Sequence, residues 1–259
     1  MTSETPTDPA RTPWHAQMLR PEWIALFVAV IALGFSLASY TVGFDARVRN
    51  YLLSNPTILQ EMVSRAQAAE QASDSAAIQA NLDNDPALLR IDPRDPAFGP
   101  ADARVTVVEY FDYRCPGCKA IAEPMLALIE ANPDVRFVFR EWPILDRGDD
   151  VTSHTAAYAA LAAHQQGRYL QVHRALMEAR ALDQDSITRI LEDNGVDIER
   201  AVAFIESAGV RDHVADVGAV AQGKGLIGTP SFIVNGRYVE DFRPESLQAA
   251  IDAARAGTR

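Results

Sequence analysis

The two cysteines are the residues whose type and spacing point most directly to chemistry. Cys115 and Cys118 are the only cysteines in the 259 residues, and two residues separate them. A disulfide across so short a loop removes little chain entropy from the unfolded state, so it is poorly suited to structural stapling. The spacing favours a dithiol that is made and broken, in which one thiolate attacks a disulfide and the second thiol resolves the product.

The segments around the pair predict which thiol is activated. A strand-like run at residues 105–111 precedes the cysteines, and a helical pattern follows from Lys119. Cys115 should therefore lie at a helix N-terminus, where unpaired N–H groups and the helix dipole stabilise a thiolate. We expect Cys115 to be the nucleophile and Cys118 the resolving thiol.

Zinc binding and chance burial are the alternatives for the two cysteines. Tetrahedral zinc needs four ligands, and the chain has no second cysteine pair. His154, His164 and His173 are about ten residues apart rather than four, so a helix would not present two of them on one face. We therefore expect neither a bound metal nor another cofactor.

A second motif lies more than a hundred residues further along the chain. Gly228–Pro230 precede a short strand at 231–234, and Asn235–Gly236 form a hairpin signal before a strand at 237–239. A proline directly before a strand suggests a cis Thr229–Pro230 bond in a tight turn. Thr229 would then present its backbone to a bound peptide by strand pairing.

Both motifs resemble one family. VEYFDYRCPGCK at residues 108–119 and GTPSFIVNG at 228–236 resemble the DsbA-like branch of the thioredoxin superfamily, over about residues 98–256. The resemblance implies an α/β thioredoxin fold with an inserted all-helical domain at about residues 150–210. It also implies a thiol–disulfide oxidoreductase that acts on client proteins with disulfides, together with a membrane redox partner that resets the dithiol.

The resemblance assigns catalytic roles to Cys115, Cys118, Thr229 and Pro230. It also makes Glu109 a buried acid that relays protons beneath the dithiol, although the strand pattern alone equally allows a solvated side chain. The dithiol carries Pro-Gly where strongly oxidising DsbA proteins carry a histidine, and threonine precedes the cis-proline as in isomerase members. We therefore expect a disulfide isomerase.

The periodicity predicts the elements that position these residues. Strands at 105–111 and 135–142 flank a helix at 115–131 that continues through a kink at Pro124, and a last helix spans 244–254. The insertion should contain helices at 155–164, at 169–179, from a cap at Asp185–Ser186 to Leu191, and from a cap at Asp197 to Ser207.

The N-terminal region predicts a membrane anchor. Residues 23–44 carry no charge and, at about 1.5 Å per residue, are long enough to cross a bilayer, although a cleaved signal peptide is the alternative. Residues 1–22 are expected to form a disordered cytoplasmic tail. Because a dithiol exchanger is useful outside the reducing cytosol, we expect a single-pass inner-membrane protein with a periplasmic catalytic domain.

Residues 46–95 are expected to form a helical oligomerisation stalk and a proline-rich linker. Apolar residues at three–four spacing form a weak coiled-coil seam, and a solvated alanine-rich spacer is the alternative. The stretch YLLSNPTILQEM at 51–62 resembles the suppressor of copper sensitivity protein C family, which implies a homotrimer through residues 46–82. The seam residues are Val48, Leu52, Leu59, Met62, Ala66, Ala69, Ala76 and Ala80.

Composition limits the remaining possibilities. The net charge of −11 and pI near 4.9 argue against nucleic acid, which requires a basic surface. A monomeric dithiol oxidase, a copper(I)-binding module that uses both thiolates, and a non-catalytic membrane scaffold remain as alternatives to the isomerase.

Overall fold

The computed structural model describes residues 21–257, which form two compact units that divide after Ala69. A disordered tail was predicted at residues 1–22, and residues 1–20 of it lie outside the described part of the chain. The first unit contains helices α1 (Pro21–Val42) and α2 (Phe44–Ser54) and the first part of α3 (Pro56–Asn84). No helix within residues 21–257 has the length and apolar character needed to cross a bilayer, so the structure does not support the anchor predicted at 23–44.

The second unit begins inside helix α3, upstream of the domain predicted at 98–256. The alanine-rich sequence of α3 favours a helix, because alanine has the highest helix propensity. Ser75, Ile78 and Leu82 recur at three–four spacing and are buried, and the latter two join an apolar cluster of the second unit. The seam predicted at 46–82 did not include these three residues.

A five-stranded sheet forms the centre of the second unit, in the order β1-β3-β2-β4-β5. Strands β2 and β3 are parallel and are joined through helix α4 (Pro116–Ala131), as predicted, while the other neighbours pair antiparallel. The short edge strand β1 has no counterpart among the predicted elements. The strands are β1 (Ala97–Phe98), β2 (Val105–Phe111), β3 (Val135–Glu141), β4 (Ser231–Val234) and β5 (Arg237–Val239).

Seven further helices surround the sheet: α4 (Pro116–Ala131), α5 (Thr152–His164), α6 (Tyr169–Glu178), α7 (Gln184–Asp193), α8 (Ile198–Glu206), α9 (Ala208–Lys224) and α10 (Pro244–Arg255). Helix α4 runs through Pro124 as predicted. The cap of α7 is Asp183, which accepts the N–H of Ser186, rather than the predicted Asp185–Ser186 pair. Helix α9 was not predicted.

Side chains alternate between the two faces of the sheet, and each face packs against its own apolar core. Val107 and Phe111 of β2 face the cluster that contains both cysteines and residues of the helical insertion. Val108 and Tyr110 face the opposite cluster, which includes residues of α3 and α9. Because Glu109 shares the parity of Val107 and Phe111, the sheet directs its side chain to the cysteine side.

The segment predicted as a linker packs on the opposite face of the sheet. Asp95 is 3% exposed and accepts a bond from the Arg140 guanidinium at 3.0 Å. Arg140 also donates to the Arg90 carbonyl at 2.5 Å, and the buried Lys224 ammonium donates to the Leu88 carbonyl. These contacts pair Asp95 with Arg140, give the Lys224 ammonium a carbonyl partner and fix residues 86–95 as a packed strap rather than a free connection.

Candidate active site

Cys115 occupies the N-cap of α4 and Pro116 the first helical position, where its missing N–H costs nothing. The Cys115 thiol donates to the Thr229 carbonyl at 3.1 Å and retains 8% of its surface exposure. Both cysteines are free thiols, and Cys118 is fully buried one helical turn further on. The outer sulfur is thus positioned to react first.

The surroundings of the two sulfurs have opposite effects on their ionisation. A hydrogen bond from Cys118, a second from the Thr229 side chain, and the N–H groups of Cys118 and Gly117 together lower the pKa of Cys115 to about 5, although burial opposes them. Burial, with smaller contributions from Cys115 and Glu109, raises the pKa of Cys118 well above its usual range. One thiol is therefore ionised at neutral pH while its neighbour keeps its proton.

The Thr229–Pro230 peptide bond is cis and lies against the dithiol. A Cβ atom added to Gly117 would stand 3.0 Å from the Pro230 Cδ and 3.7 Å from the Cys115 Sγ. The glycine between the cysteines therefore allows the proline turn to approach the reactive sulfur closely.

Glu109 is 2% exposed, and its Oε2 atom has no hydrogen-bond partner among residues 21–257. Burial, and secondly the charge on Cys115, raise the pKa of Glu109 to about 8. The structure thus places this carboxyl inside the protein, on the cysteine side of the sheet, where it is protonated at neutral pH while Cys115 is a thiolate.

A buried polar cluster beside the site did not follow from the sequence. The Tyr113 and Tyr169 hydroxyls donate to the Oε1 atom of Glu141 at 3.2 and 2.8 Å, and the Tyr113 hydroxyl also lies 3.0 Å from the His173 Nδ1. Burial raises the pKa of Glu141 well above normal and lowers that of His173 to about 3. The one sequence signal that could have pointed to this cluster is the alternation of side chains along β3, because Glu141 has the same strand parity as Glu109.

Lys119 connects the cysteine helix to the insertion. Its ammonium donates to the carbonyls of Met177 and Ala179 at 3.0 and 2.8 Å, at the C-terminal end of α6. A cation at that end of a helix satisfies orphan carbonyls and interacts favourably with the dipole.

We expect Lys119→Met to lower the free energy of unfolding by about 1–2 kcal/mol, because the methylene stem is kept and the bonds to the carbonyls are lost. Urea denaturation measures the change. Arg174→Met is the matched control, since its exposed ion pair with Glu123 joins the same two helices and should contribute less than about 1 kcal/mol. Equal effects of the two variants would contradict the assignment.

An ionised cysteine at a helix N-terminus, a buried second thiol and a cis-proline turn, on a sheet with a parallel βαβ unit, define a dithiol protein of the thioredoxin fold. Residues 92–253 match the family model described as Thioredoxin. The chain belongs to this family.

Proteins named Na(+)/H(+) antiporter NhaA are similar to this chain. The Na(+)/H(+) antiporter NhaA 1 of Salinispora arenicola is 34% identical over 184 residues, and the NhaA of Herminiimonas arsenicoxydans is 32% identical over 174 residues. These alignments cover 66% and 65% of this chain, which spans only about a quarter of the length of the antiporters, 26% and 27%.

The solved structures support the same fold. A thioredoxin-like oxidoreductase from Silicibacter pomeroyi is 42% identical, with a TM-score of 0.59 over 64% of this chain and 94% of that one. A Proteus mirabilis ScsC variant is 22% identical, with a TM-score of 0.60 over 85% and 97% of the two chains. The Wolbachia pipientis thiol-disulfide exchange protein alpha-DsbA2 is 23% identical, with a TM-score of 0.61 over 70% and 97%. The last two likenesses concern the fold alone.

Proposed function

We propose that this protein is an extracytoplasmic thiol–disulfide oxidoreductase that isomerises disulfides in client proteins. The observation that carries the proposal is the contrast within the dithiol: Cys115 is ionised at neutral pH and partly accessible, whereas Cys118 is buried and protonated. The oxidoreductase from Silicibacter pomeroyi, at 42% identity, supports the same chemistry.

The first step is attack on a client disulfide. The Cys115 thiolate forms a bond to one client sulfur, the client disulfide breaks, and the second client sulfur leaves as a thiolate. The turn at Thr229 and Pro230 lies against the attacking sulfur, and an extended client segment can pair with its backbone. A different client thiolate can then displace Cys115, which rearranges the client disulfides without net redox change.

The second outcome is resolution by Cys118. Once Cys115 is bound in a mixed disulfide it carries no charge, so one of the two causes that raise the pKa of Glu109 is removed. Glu109 then loses its proton more readily and can accept the proton of Cys118. The Cys118 thiolate attacks the Cys115 sulfur, the bond from Cys115 to the client breaks, and the client sulfur leaves as a thiolate that takes up the proton from Glu109 or from solvent. The pair is then oxidised and the client disulfide reduced.

The ionisation of Cys115 favours an isomerase over a dedicated oxidase or a reductase. Its pKa of about 5 lies between those of thioredoxin, about 7, and DsbA, about 3.5. Since a more stable thiolate makes the oxidised pair a stronger oxidant, the potential should lie between about −270 and −120 mV. We expect roughly −190 mV, close to the value of about −180 mV for protein disulfide isomerase.

Self-association through the N-terminal helices would place several dithiols near one client. Val48, Leu59 and Met62 of the first unit are at least 40% exposed, and helix α2 has no buried residue. Because the last part of α3 packs within the second unit, we place the oligomer contact at residues 46–69 rather than 46–82. Sedimentation equilibrium of the full chain is expected to give a trimer, and a monomer would favour the dithiol oxidase.

The decisive experiment refolds scrambled ribonuclease with the full chain and measures the dithiol potential against glutathione. We expect recovery of ribonuclease activity and a potential near −190 mV. A potential near −270 mV without ribonuclease recovery would indicate a reductase, and a potential near −120 mV with only net oxidation would indicate an oxidase.

A further inference from the structure

Asp112 lies three residues before Cys115 and is 1% exposed. Its carboxylate accepts four hydrogen bonds. Oδ1 accepts the Arg114 N–H at 2.7 Å and the Ser153 hydroxyl at 2.9 Å, and Oδ2 accepts the N–H groups of Ile144 and Leu145 at 2.8 and 3.0 Å. A buried carboxylate with this many donors holds one geometry, because each lost bond would leave a buried group unsatisfied.

The donors come from three different segments of the chain. Arg114 belongs to the loop that leads into the dithiol, Ile144 and Leu145 follow strand β3, and Ser153 lies in the first turn of α5, where the inserted helical domain begins. The Arg114 side chain strengthens the same junction, since its guanidinium donates to the Leu145 carbonyl at 3.1 Å and pairs with Asp150 at 2.7 Å.

The backbone of Asp112 contacts both cysteines. Its carbonyl accepts the Cys115 N–H at 3.0 Å, and its backbone N–H lowers the pKa of Cys118, in opposition to the larger effect of burial. A rotation of the peptide groups on either side of Asp112 would therefore move the two sulfurs relative to each other. The carboxylate prevents such a rotation by tying the residue to the insertion and to the loop after β3.

From these contacts we infer that Asp112 is a positioning residue for the dithiol: its buried carboxylate couples the helical insertion to the relative placement of Cys115 and Cys118. The inference rests on the proposed thiol–disulfide exchange. The hydrogen bond from Cys118 is the largest of the effects that stabilise the Cys115 thiolate, so a small displacement of Cys118 would weaken it.

The direction of the effect separates positioning from simple electrostatics. Asn replaces one carboxylate oxygen by an N–H donor, so Asp112→Asn cannot accept all four bonds. If Asp112 acted only as a nearby negative charge, removing it would stabilise the thiolate. If it positions the sulfurs, removing it destabilises the thiolate and makes the oxidised pair a weaker oxidant. A purely structural role would lower stability and leave the ionisation of Cys115 unchanged.

The test is a pH titration of thiolate absorbance in the full-length reduced protein, with glutathione equilibration of the same samples. For Asp112→Asn we expect the thiolate fraction at pH 5 to fall from about one half to about one tenth, and the equilibrium constant with glutathione to change about tenfold, or about 30 mV. Asp183→Asn, which alters a helix cap in the insertion, should change neither.

Ser153→Ala removes one donor and keeps the carboxylate, so it should shift the titration in the same direction by a smaller amount. If Asp112→Asn does not fold, the titration of Ser153→Ala alone tests whether Asp112 positions the dithiol. An unchanged or increased thiolate fraction in the folded variant, or in Ser153→Ala where it alone folds, would overturn the inference. An ordinary thiol titration of the unaltered protein would instead overturn the proposed function.

Discussion

Cys115→Ala should reduce client disulfide exchange to the uncatalysed rate, because no other thiol in the chain is ionised at neutral pH. At pH 7 a pKa of about 5 leaves roughly 99% of Cys115 as thiolate, against roughly 3% for an ordinary cysteine. Cys118→Ala should still attack but should accumulate a mixed disulfide, since its resolving thiol is gone. Non-reducing electrophoresis with an oxidised client measures both results.

The pH dependence of alkylation provides the control for this prediction. The rate with iodoacetamide should be nearly constant above about pH 6 and should fall about tenfold per unit below pH 5. In Cys118→Ala the profile should move to higher pH, because the hydrogen bond from Cys118 is the largest stabilising effect on the thiolate. A rate that still rises between pH 7 and 9 in the unaltered protein would contradict the assignment of the nucleophile.

Local patterns were sufficient to predict the elements nearest the dithiol. The strand before Cys115, the helix that begins after Cys115 and the hairpin after Pro230 agree with the structure to within about a residue. These elements carry strong local signals: alternating or continuous apolar residues, a proline at the first helical turn and an Asn-Gly turn. Such signals require no knowledge of distant contacts.

Elements stabilised mainly by tertiary contacts were missed. Helix α9 contains Gly218 and Gly223, which weaken its helical signal, but Val210, Val214, Val217 and Ala221 are buried at helical spacing and hold it in place. The strap at 86–95 carries proline and acidic residues that are typical of a linker. It packs because Arg140 and Lys224, both distant in sequence, supply donors to its carbonyls.

The same distinction applies to the site. The two cysteines, Thr229 and Pro230 belong to compact motifs, and a strand residue such as Glu109 could be placed on one of two faces. The hydrogen-bond donors to Asp112 and Glu141 lie from two to 41 residues away in the sequence, and the bond from Ser153 to Asp112 has the largest separation. No local periodicity in the sequence encodes such a junction.

Glu109→Gln should stabilise the reduced protein at neutral and alkaline pH. Since the pKa of Glu109 is raised from 4.5 to about 8, the folded state retains a proton that the unfolded state has lost between these values, and stability falls as pH rises through this window. Glutamine remains uncharged, so the gain should be about 3 kcal/mol at pH 7 and under about 1 kcal/mol at pH 5.

Urea denaturation of the reduced and oxidised proteins at both pH values measures this gain. It should be smaller in the oxidised protein, because the Cys115 charge that contributes to the raised pKa of Glu109 is then absent. Glu130→Gln, at an exposed position on α4, is the matched control and should show no such pH dependence. A Glu109→Gln gain that is independent of pH would show that Glu109 does not titrate in this window.

The same substitution should slow the resolving reaction while sparing the first attack. Glutamine cannot accept the proton of Cys118, so release of client from the mixed disulfide through Cys118 should fall about 100-fold, within the usual range for a lost general base. Disulfide rearrangement that a client thiol completes does not require Cys118 and should be nearly unaffected. Stopped-flow measurement of mixed-disulfide decay, compared with ribonuclease refolding, separates the two reactions. Equal losses in both would place Glu109 in the attack by Cys115 rather than in the deprotonation of Cys118.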